Sequence, residues 1–467
     1  MTNIQSHGVL IGAPCSGSGK TVFTLGLLAA LKEKGYPVRS FKCGPDYIDP
    51  MYHTKVLGIP CRNLDTWFTG EEKTRELYQT GNDENMVSVI EGVMGLYDGV
   101  AGICPEGSSY DLARVLNLPV ILVISAGGVG RSLIAMIRGF KDMDQYSLIR
   151  GVFINKISAD MYNRLKPEIE KETGISCLGF LPKDESLHAP ERHLGLVAPD
   201  ETDQGFIKAA GEAVGEALDW NTFFRICGLS EKNVTTVSPV IKDPEIKKSE
   251  TDQSVGTKGL TLAVARDPAF SFLYEDNLRE LEKAGVEIRF FSPIKDHALP
   301  DGISGLYLPG GYPELYLAEL SENTSMRQDI LEKIRGGLPT IAECGGFLYL
   351  GESIKDILEE EYPMVGLLPG KAEQKGKSGK FGYITVEEVS PIFYPEGLKL
   401  KGHEFHYYES TAEGSSCLMV KPVTGKSWTG IFTTETLWAG FPHIYFPAEP
   451  EFVRVFAGKM MNYSKKL

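Results

Sequence analysis

Lys20 and Thr21 close the run Val9-Leu-Ile-Gly-Ala-Pro-Cys-Ser-Gly-Ser-Gly-Lys-Thr21, an apolar segment and a loop of small residues that lead into a helical pattern from Val22 to Leu31. Ser16, Gly17, Ser18 and Gly19 let backbone N–H groups turn inward on an anion, Lys20 adds a point charge, and Thr21 offers a hydroxyl to Mg²⁺. This is the chemistry of a nucleotide phosphate cradle. Pro14 stands where the pattern G-x-x-x-x-G-K-[ST] has its first glycine, with Gly12 two positions earlier, so the motif is a variant. A second centre lies in Leu338-Pro-Thr-Ile-Ala-Glu-Cys344-Gly-Gly-Phe347. A nucleophile on a sharp strand-to-helix turn needs small residues two before and two after it, and Ala342 and Gly346 meet that demand around Cys344. The helix start is expected to favour the thiolate. Gly310 and Gly311 in Leu308-Pro-Gly-Gly-Tyr-Pro-Glu314, with Gly345, are candidate oxyanion-hole donors, and His443 in Ala439-Gly-Phe-Pro-His-Ile-Tyr-Phe is the candidate base.

Carboxylates gather at other strand ends. Val38–Lys42 runs into Cys43-Gly-Pro-Asp-Tyr-Ile-Asp-Pro50, and Val87–Ile90 runs into Glu91-Gly-Val-Met-Gly-Leu-Tyr-Asp98-Gly. Beside a phosphate loop, Asp46 and the Walker-B-like Glu91 are candidate magnesium ligands together with Thr21. Asp49 is placed to do the same or to face a substrate, although both aspartates are equally readable as turn-closing residues. Asp98, on a glycine-flanked loop, is placed to reach a substrate. Ser108-Ser-Tyr-Asp111 has capping chemistry, which makes Asp111 a first-turn acid. Asn155, ending the strand Gly151–Lys156, offers paired donor and acceptor groups to an adenine edge. His403 and His406 lie without a further ligand cluster, so they are assigned to substrate hydrogen bonding or structure, not to a metal.

These residues must be carried by strands that alternate with helices, which predicts an α/β fold with a mostly parallel, doubly wound sheet and ligands at the strand C-terminal ends. Further strands are expected at Pro119–Ile124, where Ser125-Ala-Gly-Gly-Val-Gly-Arg-Ser132 makes a second glycine-rich turn, and at Leu178–Pro182. With 467 residues the chain is expected to form two domains: 1–229, a polar linker at 230–258, and 259–467. The second opens with strands at Leu260–Ala265, Val286–Phe291 and Gly305–Leu308 and a helical pattern at Tyr274–Ala284. A formal net charge of -14 argues against a nucleic-acid or acidic-membrane partner. With neither a signal peptide nor a membrane-length apolar run, a cytoplasmic location is expected. The eight cysteines include no C-x-x-C pair, so neither structural zinc nor a disulfide framework is suggested.

Taken together, APCSGSGKT (13–21), KCGPDYIDP (42–50), EGVMGLYDG (91–99), AVARDPAF (263–270), LPGGYPE (308–314), AECGGFLYL (342–350) and GHEFHY (402–407) resemble the cobyrinic acid a,c-diamide synthase family. The resemblance implies an N-terminal P-loop NTPase-like domain of dethiobiotin synthetase type and a C-terminal class I glutamine amidotransferase-like domain. It implies a ligase that uses ATP, Mg²⁺ and L-glutamine to amidate carboxylates of a corrin. Cys344 and His443 would free ammonia from glutamine, and the N-terminal domain would make an acyl phosphate. Where many Cys-His glutaminases carry H-x-E, this chain has His443-Ile444-Tyr445, so a Cys-His dyad is expected and Glu449 is not assigned. Two other readings stand beside this one: amidation of nickel-sirohydrochlorin within the same framework, and a ParA-like ATPase scaffold. The partners expected are small molecules, with a homodimer left open.

Overall fold

The computed structural model describes residues 7–81, 86–184, 187, 191–192, 195–196, 204–229, 259–374 and 380–466. The expected linker at 230–258 lies outside the described residues. The chain divides into two units, Met1–Glu245 and Ile246–Leu467.

The first unit runs β1 (Gly8–Gly12), α1 (Lys20–Glu33), β2 (Val38–Cys43), α2 (Ile48–Met51), β3 (Cys61–Leu64), α3 (Thr66–Gln79), β4 (Val87–Glu91), α4 (Ser109–Leu116), β5 (Val120–Ser125), α5 (Ser132–Met143), β6 (Ile149–Asn155), α6 (Ala159–Thr173) and β7 (Ser176–Phe180). A two-stranded ribbon, β8 (Glu191–Arg192) and β9 (Gly195–Leu196), and helices α7 (Gln204–Ala217) and α8 (Trp220–Ile226) complete it. The strand order is β3-β2-β4-β1-β5-β6-β7, with every neighbour parallel. Helices cover both faces of such a sheet, so its strands read as unbroken apolar runs, as Val-Ile-Leu-Val-Ile in β5 does. The chain order reverses at the centre, around β1 and β4, and the loops that leave those strands carry Lys20 and Glu91. That is the place where open α/β sheets bind ligands.

The second unit contains β10 (Leu260–Ala265), α9 (Glu275–Lys283), β11 (Val286–Phe291), β12 (Gly305–Leu308), α10 (Leu317–Glu322), α11 (Thr324–Arg335), β13 (Thr340–Glu343) and α12 (Gly345–Leu350). It continues with β14 (Ser353–Lys355), β15 (Glu361–Pro363), β16 (Lys371–Gln374), β17 (Gly382–Glu388), β18 (Leu400–Glu404), β19 (Tyr408–Ser410), β20 (Cys417–Val420) and β21 (Ser427–Gly430). Last come β22 (Phe432–Thr433), β23 (Leu437–Gly440), β24 (His443–Ile444) and α13 (Pro450–Ser464). The central sheet has the order β11-β10-β12-β13-β23-β22, parallel except at β22. Two smaller sheets surround it: a mixed β15-β14-β16-β19 and an antiparallel β21-β20-β17-β18-β24. Strand β24 leaves the end of β23 and pairs with β18, so His443 stands opposite His403. Among the described residues no helix is long and apolar enough to cross a membrane.

Candidate active sites

In the first unit the loop after β1 winds through left-handed Gly17 (φ 78°) and Gly19 (φ 94°), conformations that side chains rarely adopt, and delivers Lys20 and Thr21 at the start of α1. Thr21 donates its hydroxyl to Glu91 Oε1 at 2.7 Å, and Lys20 Nζ donates to the Met94 carbonyl at 2.9 Å. The phosphate loop and the loop after β4 are thereby joined. Burial, then the neighbouring Lys42, lowers the pKa of Lys20, so this ammonium is poorly compensated until an anion arrives.

Lys42, at the end of β2, organises the acids. Its Nζ lies 3.3 Å from Glu91 Oε1 and 3.6 Å from Asp46 Oδ2, pairs with Asp49, and donates to the Gly92 carbonyl at 3.1 Å. Burial works against the Lys42 charge, yet Asp49, Glu91 and Asp46 hold it well above the ordinary lysine range. Burial and the adjacent Glu91 push Asp49 up to about 8. Burial likewise opposes the Glu91 charge, but Lys42 and His53 hold that carboxyl well below its ordinary range. Buried His53 touches Glu91 Oε2 at 3.2 Å through Nε2 and Ser40 Oγ at 2.5 Å through Nδ1. Asp46 also accepts the Ile48 N–H at 2.8 Å, and Asp98 accepts the Gly95 N–H at 3.1 Å, so each aspartate closes a turn. Asn155 donates to the Ser18 carbonyl at 3.2 Å and accepts from Lys156 N–H. Its amide thus braces the phosphate loop, with one N–H and one lone pair beyond these two bonds. Lys42 and His53 were not singled out in the sequence.

Thr21 and Glu91 make an all-oxygen pair of the hard-donor kind Mg²⁺ takes, with Asp46 reaching the same lysine. Among the described residues no group of three or more His, Cys, Asp or Glu side chains is poised on one ion.

In the second unit, neighbouring strands β12, β13 and β23 bring the glycine loop, Cys344 and the approach to His443 to one end of the sheet. Cys344 has φ 46° and ψ −105°, a strained backbone for a non-glycine residue and the signature of a nucleophile elbow. A Cβ at Gly346 would lie 2.1 Å from the Leu308 carbonyl oxygen, so only glycine lets α12 lie this close to β12. A Cβ at Gly345 would lie 3.1 Å from the Gly311 nitrogen, and one at Gly310 would strike the His443 ring at 2.3 Å. Cys344, Gly345, Gly310, Gly311 and His443 are thus packed in one region. Cys344 lines a pocket together with Tyr312, Glu314, His406 and Tyr408.

The thiol differs from expectation. Burial, reinforced by Glu314, pushes the Cys344 thiol far above its ordinary range, and the Gly345 N–H opposes this only partly. A helix of six residues does not outweigh desolvation among acids. At rest the sulfur contacts the Phe405 carbonyl at 3.7 Å. Burial depresses His443 to about 3, which leaves a neutral imidazole able to accept a proton. The carboxyl beside His443 comes from an unexpected place: Glu343 Oε2 lies 4.0 Å from Nδ1. Glu343 accepts the Tyr307 hydroxyl at 2.8 Å and the Ile444 N–H at 3.0 Å, and burial lifts it to about 8. It holds the strand that carries His443. Glu449 stands at the residue before α13 and makes no side-chain capping bond to it.

His406 stacks on Phe441 at 3.8 Å, with its ring nitrogens 2.7 Å from the Tyr408 carbonyl and 2.9 Å from Glu404 Oε1. Both nitrogens are engaged, so His406 shapes the pocket wall. His403 is buried beside Phe381, Tyr383 and Phe405, and burial lowers it to about 3.

A phosphate loop in one α/β unit and a cysteine elbow in another define a glutamine-dependent amidating ligase. Family models agree: residues 9–197 match the CobQ/CobB/MinD/ParA nucleotide binding domain and residues 261–450 the CobB/CobQ-like glutamine amidotransferase domain. Similarity extends along the chain. It is 37% identical over 464 residues to the cobyrinate a,c-diamide synthase of Caldanaerobacter subterraneus, covering 98% of this chain and 99% of that one. To the enzyme of the same name from Priestia megaterium it is 35% identical, covering 96% of each chain, and to that from Methanosarcina acetivorans 39%, covering 86% and 84%. The chain belongs to the cobyrinate a,c-diamide synthase family.

Proposed function

We propose that the protein converts the a and c carboxylate side chains of cobyrinic acid to carboxamides, with glutamine as nitrogen donor and ATP as activator. The observation that carries the reading is Cys344, held in a strained elbow at a pocket, on the same chain as a phosphate loop.

In the first half-reaction the Cys344 thiol gives its proton to neutral His443 and the sulfur attacks the glutamine amide carbon. N–H groups of Gly311 and Gly345, with the Gly310 loop, hold the oxyanion. His443 returns the proton to the leaving nitrogen, ammonia departs, and water cleaves the thioester to glutamate. In the second, a corrin carboxylate attacks the γ-phosphorus of ATP, ADP leaves, and ammonia displaces phosphate from the acyl phosphate. The backbone of residues 16–19 and Lys20 cradle the phosphates. Asp49, Asp98 and Lys42 face the activated carboxylate, and Asn155 holds the loop and offers its remaining amide groups to the adenine edge. Thr21, Asp46 and Glu91 are the residues that would hold Mg²⁺, which when bound supplies neutralisation of phosphate charge. The partners are small molecules, and a cytoplasmic enzyme fits them.

Cys344→Ser tests the division of labour. The variant is expected to form no diamide from glutamine, yet to form it from ATP, cobyrinic acid and concentrated ammonium salt. Loss of both activities in a folded variant would place Cys344 in the amidation step itself and end the two-site reading.

A further inference from the structure

The pocket beside Cys344 holds an acid that the mechanism above does not use. Glu314 sits three residues beyond Gly311, in the short turn Pro313–Leu315, and the same loop that offers the oxyanion donors therefore carries its carboxylate. It is the one Asp or Glu among the described pocket-lining residues, and no Lys or Arg lines the pocket. Among the described residues Glu314 has no ion-pair partner. The nearby Glu404 differs, since His406 already occupies it. Placing an uncompensated carboxylate against apolar and aromatic walls is costly, and desolvation lifts Glu314 to about 7. A bound cation would offset that cost.

Glutamine brings one. Its side-chain amide must reach Cys344 while its α-ammonium lies three carbons away, and the pocket offers a single unpaired acid to receive it. We infer that Glu314 is the counter-ion for the α-ammonium of glutamine, and that it selects free glutamine over amides lacking that charge. The inference rests on the glutaminase reading of Cys344.

The test compares glutamine with glutaric acid monoamide, which is the same molecule with hydrogen in place of the α-ammonium. Wild type should favour glutamine in kcat/KM for amide hydrolysis. Glu314→Gln should lower that preference by about 10–100-fold, the range of a charge-assisted contact. The loss should appear in the KM for glutamine, while turnover of the monoamide is unchanged or faster. Glu314→Asp should keep part of the preference. A ratio of two substrates on one preparation is insensitive to a misfolded fraction, so poor folding cannot imitate the result. If wild type hydrolyses glutamine and Glu314→Gln keeps the full preference, the counter-ion role is overturned and the glutaminase stands. If wild type hydrolyses no glutamine even with ATP and cobyrinic acid, the glutaminase reading falls, and this inference with it.

Discussion

Desolvation governs the chemistry of single residues in both units. Cys344 is held as a thiol by burial and Glu314, and His443 is held neutral by burial. A raised thiol pKa means that the thiolate fraction is small at neutrality and grows tenfold per pH unit until the pKa is reached. Iodoacetamide labelling of Cys344, followed on its peptide by mass spectrometry, should therefore quicken steadily from pH 6 through pH 9. A preformed thiolate-imidazolium pair would instead give a plateau beginning in acid, and such a plateau would refute the neutral-pair description. Lys42 shows the same physics from the other side. Its ammonium is surrounded by Asp49, Glu91 and Asp46, and removing it leaves those charges uncompensated. Lys42→Met should destabilise the first unit by about 3–5 kcal/mol and abolish ATP-dependent amidation, read by denaturant unfolding and product formation.

At the scale of elements, the elbow depends on how closely α12 approaches β12. Gly346→Ala puts a methyl group 2.1 Å from the Leu308 carbonyl, where backbone cannot yield without moving the nucleophile. The variant should lose about 1–3 kcal/mol of stability and most glutamine hydrolysis, while unchanged thermal unfolding and kinetics would show that the helix has room to shift. This glycine was legible because an elbow demands small neighbours whatever surrounds it. Strands β10 and β12 were legible for a similar reason, with bounds at Leu260–Ala265 and Gly305–Leu308 set by apolar runs between polar turns, and β11 was legible at Val286–Phe291 although Glu287 and Arg289 interrupt it. The antiparallel layer was not. Its strands are short, as Leu400–Glu404 and the partly exposed Ser427–Gly430 are, and the pairing of Gly402 with Ile444 joins segments about forty residues apart. Consequently the crossing of His443 from the end of β23 into that layer was hidden, as was the approach of Glu343 from the residue before the nucleophile. Lys42 was missed because a lysine in an apolar strand looks exposed until Asp46 and Asp49 of the segment that follows and Glu91 of β4 close over it. The thiolate expected at Cys344 failed because helix propensity and local sequence do not report desolvation.

For the molecule as a whole, two units with separate cores mean that each chemical step can be removed alone. The apolar cluster running from Val9 to Leu229 shares no residue with those running from Leu260 to Met460. A change confined to one cluster should leave the fold of the other intact. Lys20→Ala is the natural counterpart of Cys344→Ser, because among the described residues Lys20 Nζ donates to the Met94 carbonyl and forms no ion pair, which leaves its charge for phosphate. Removing one preorganised cation from a phosphoryl-transfer site should slow amidation by about 10²–10³-fold. That loss should appear with glutamine and with ammonium salt alike, since the activation of carboxylate precedes the use of either nitrogen. Glutamate release from glutamine should continue in the variant, because Cys344, His443 and Glu343 lie in the other unit. Measuring ADP, glutamate and diamide in one reaction distinguishes the cases. Wild-type diamide formation in Lys20→Ala would remove the phosphate loop from the chemistry, and glutamate release that vanished together with ADP would mean that the two steps are not separable by residue.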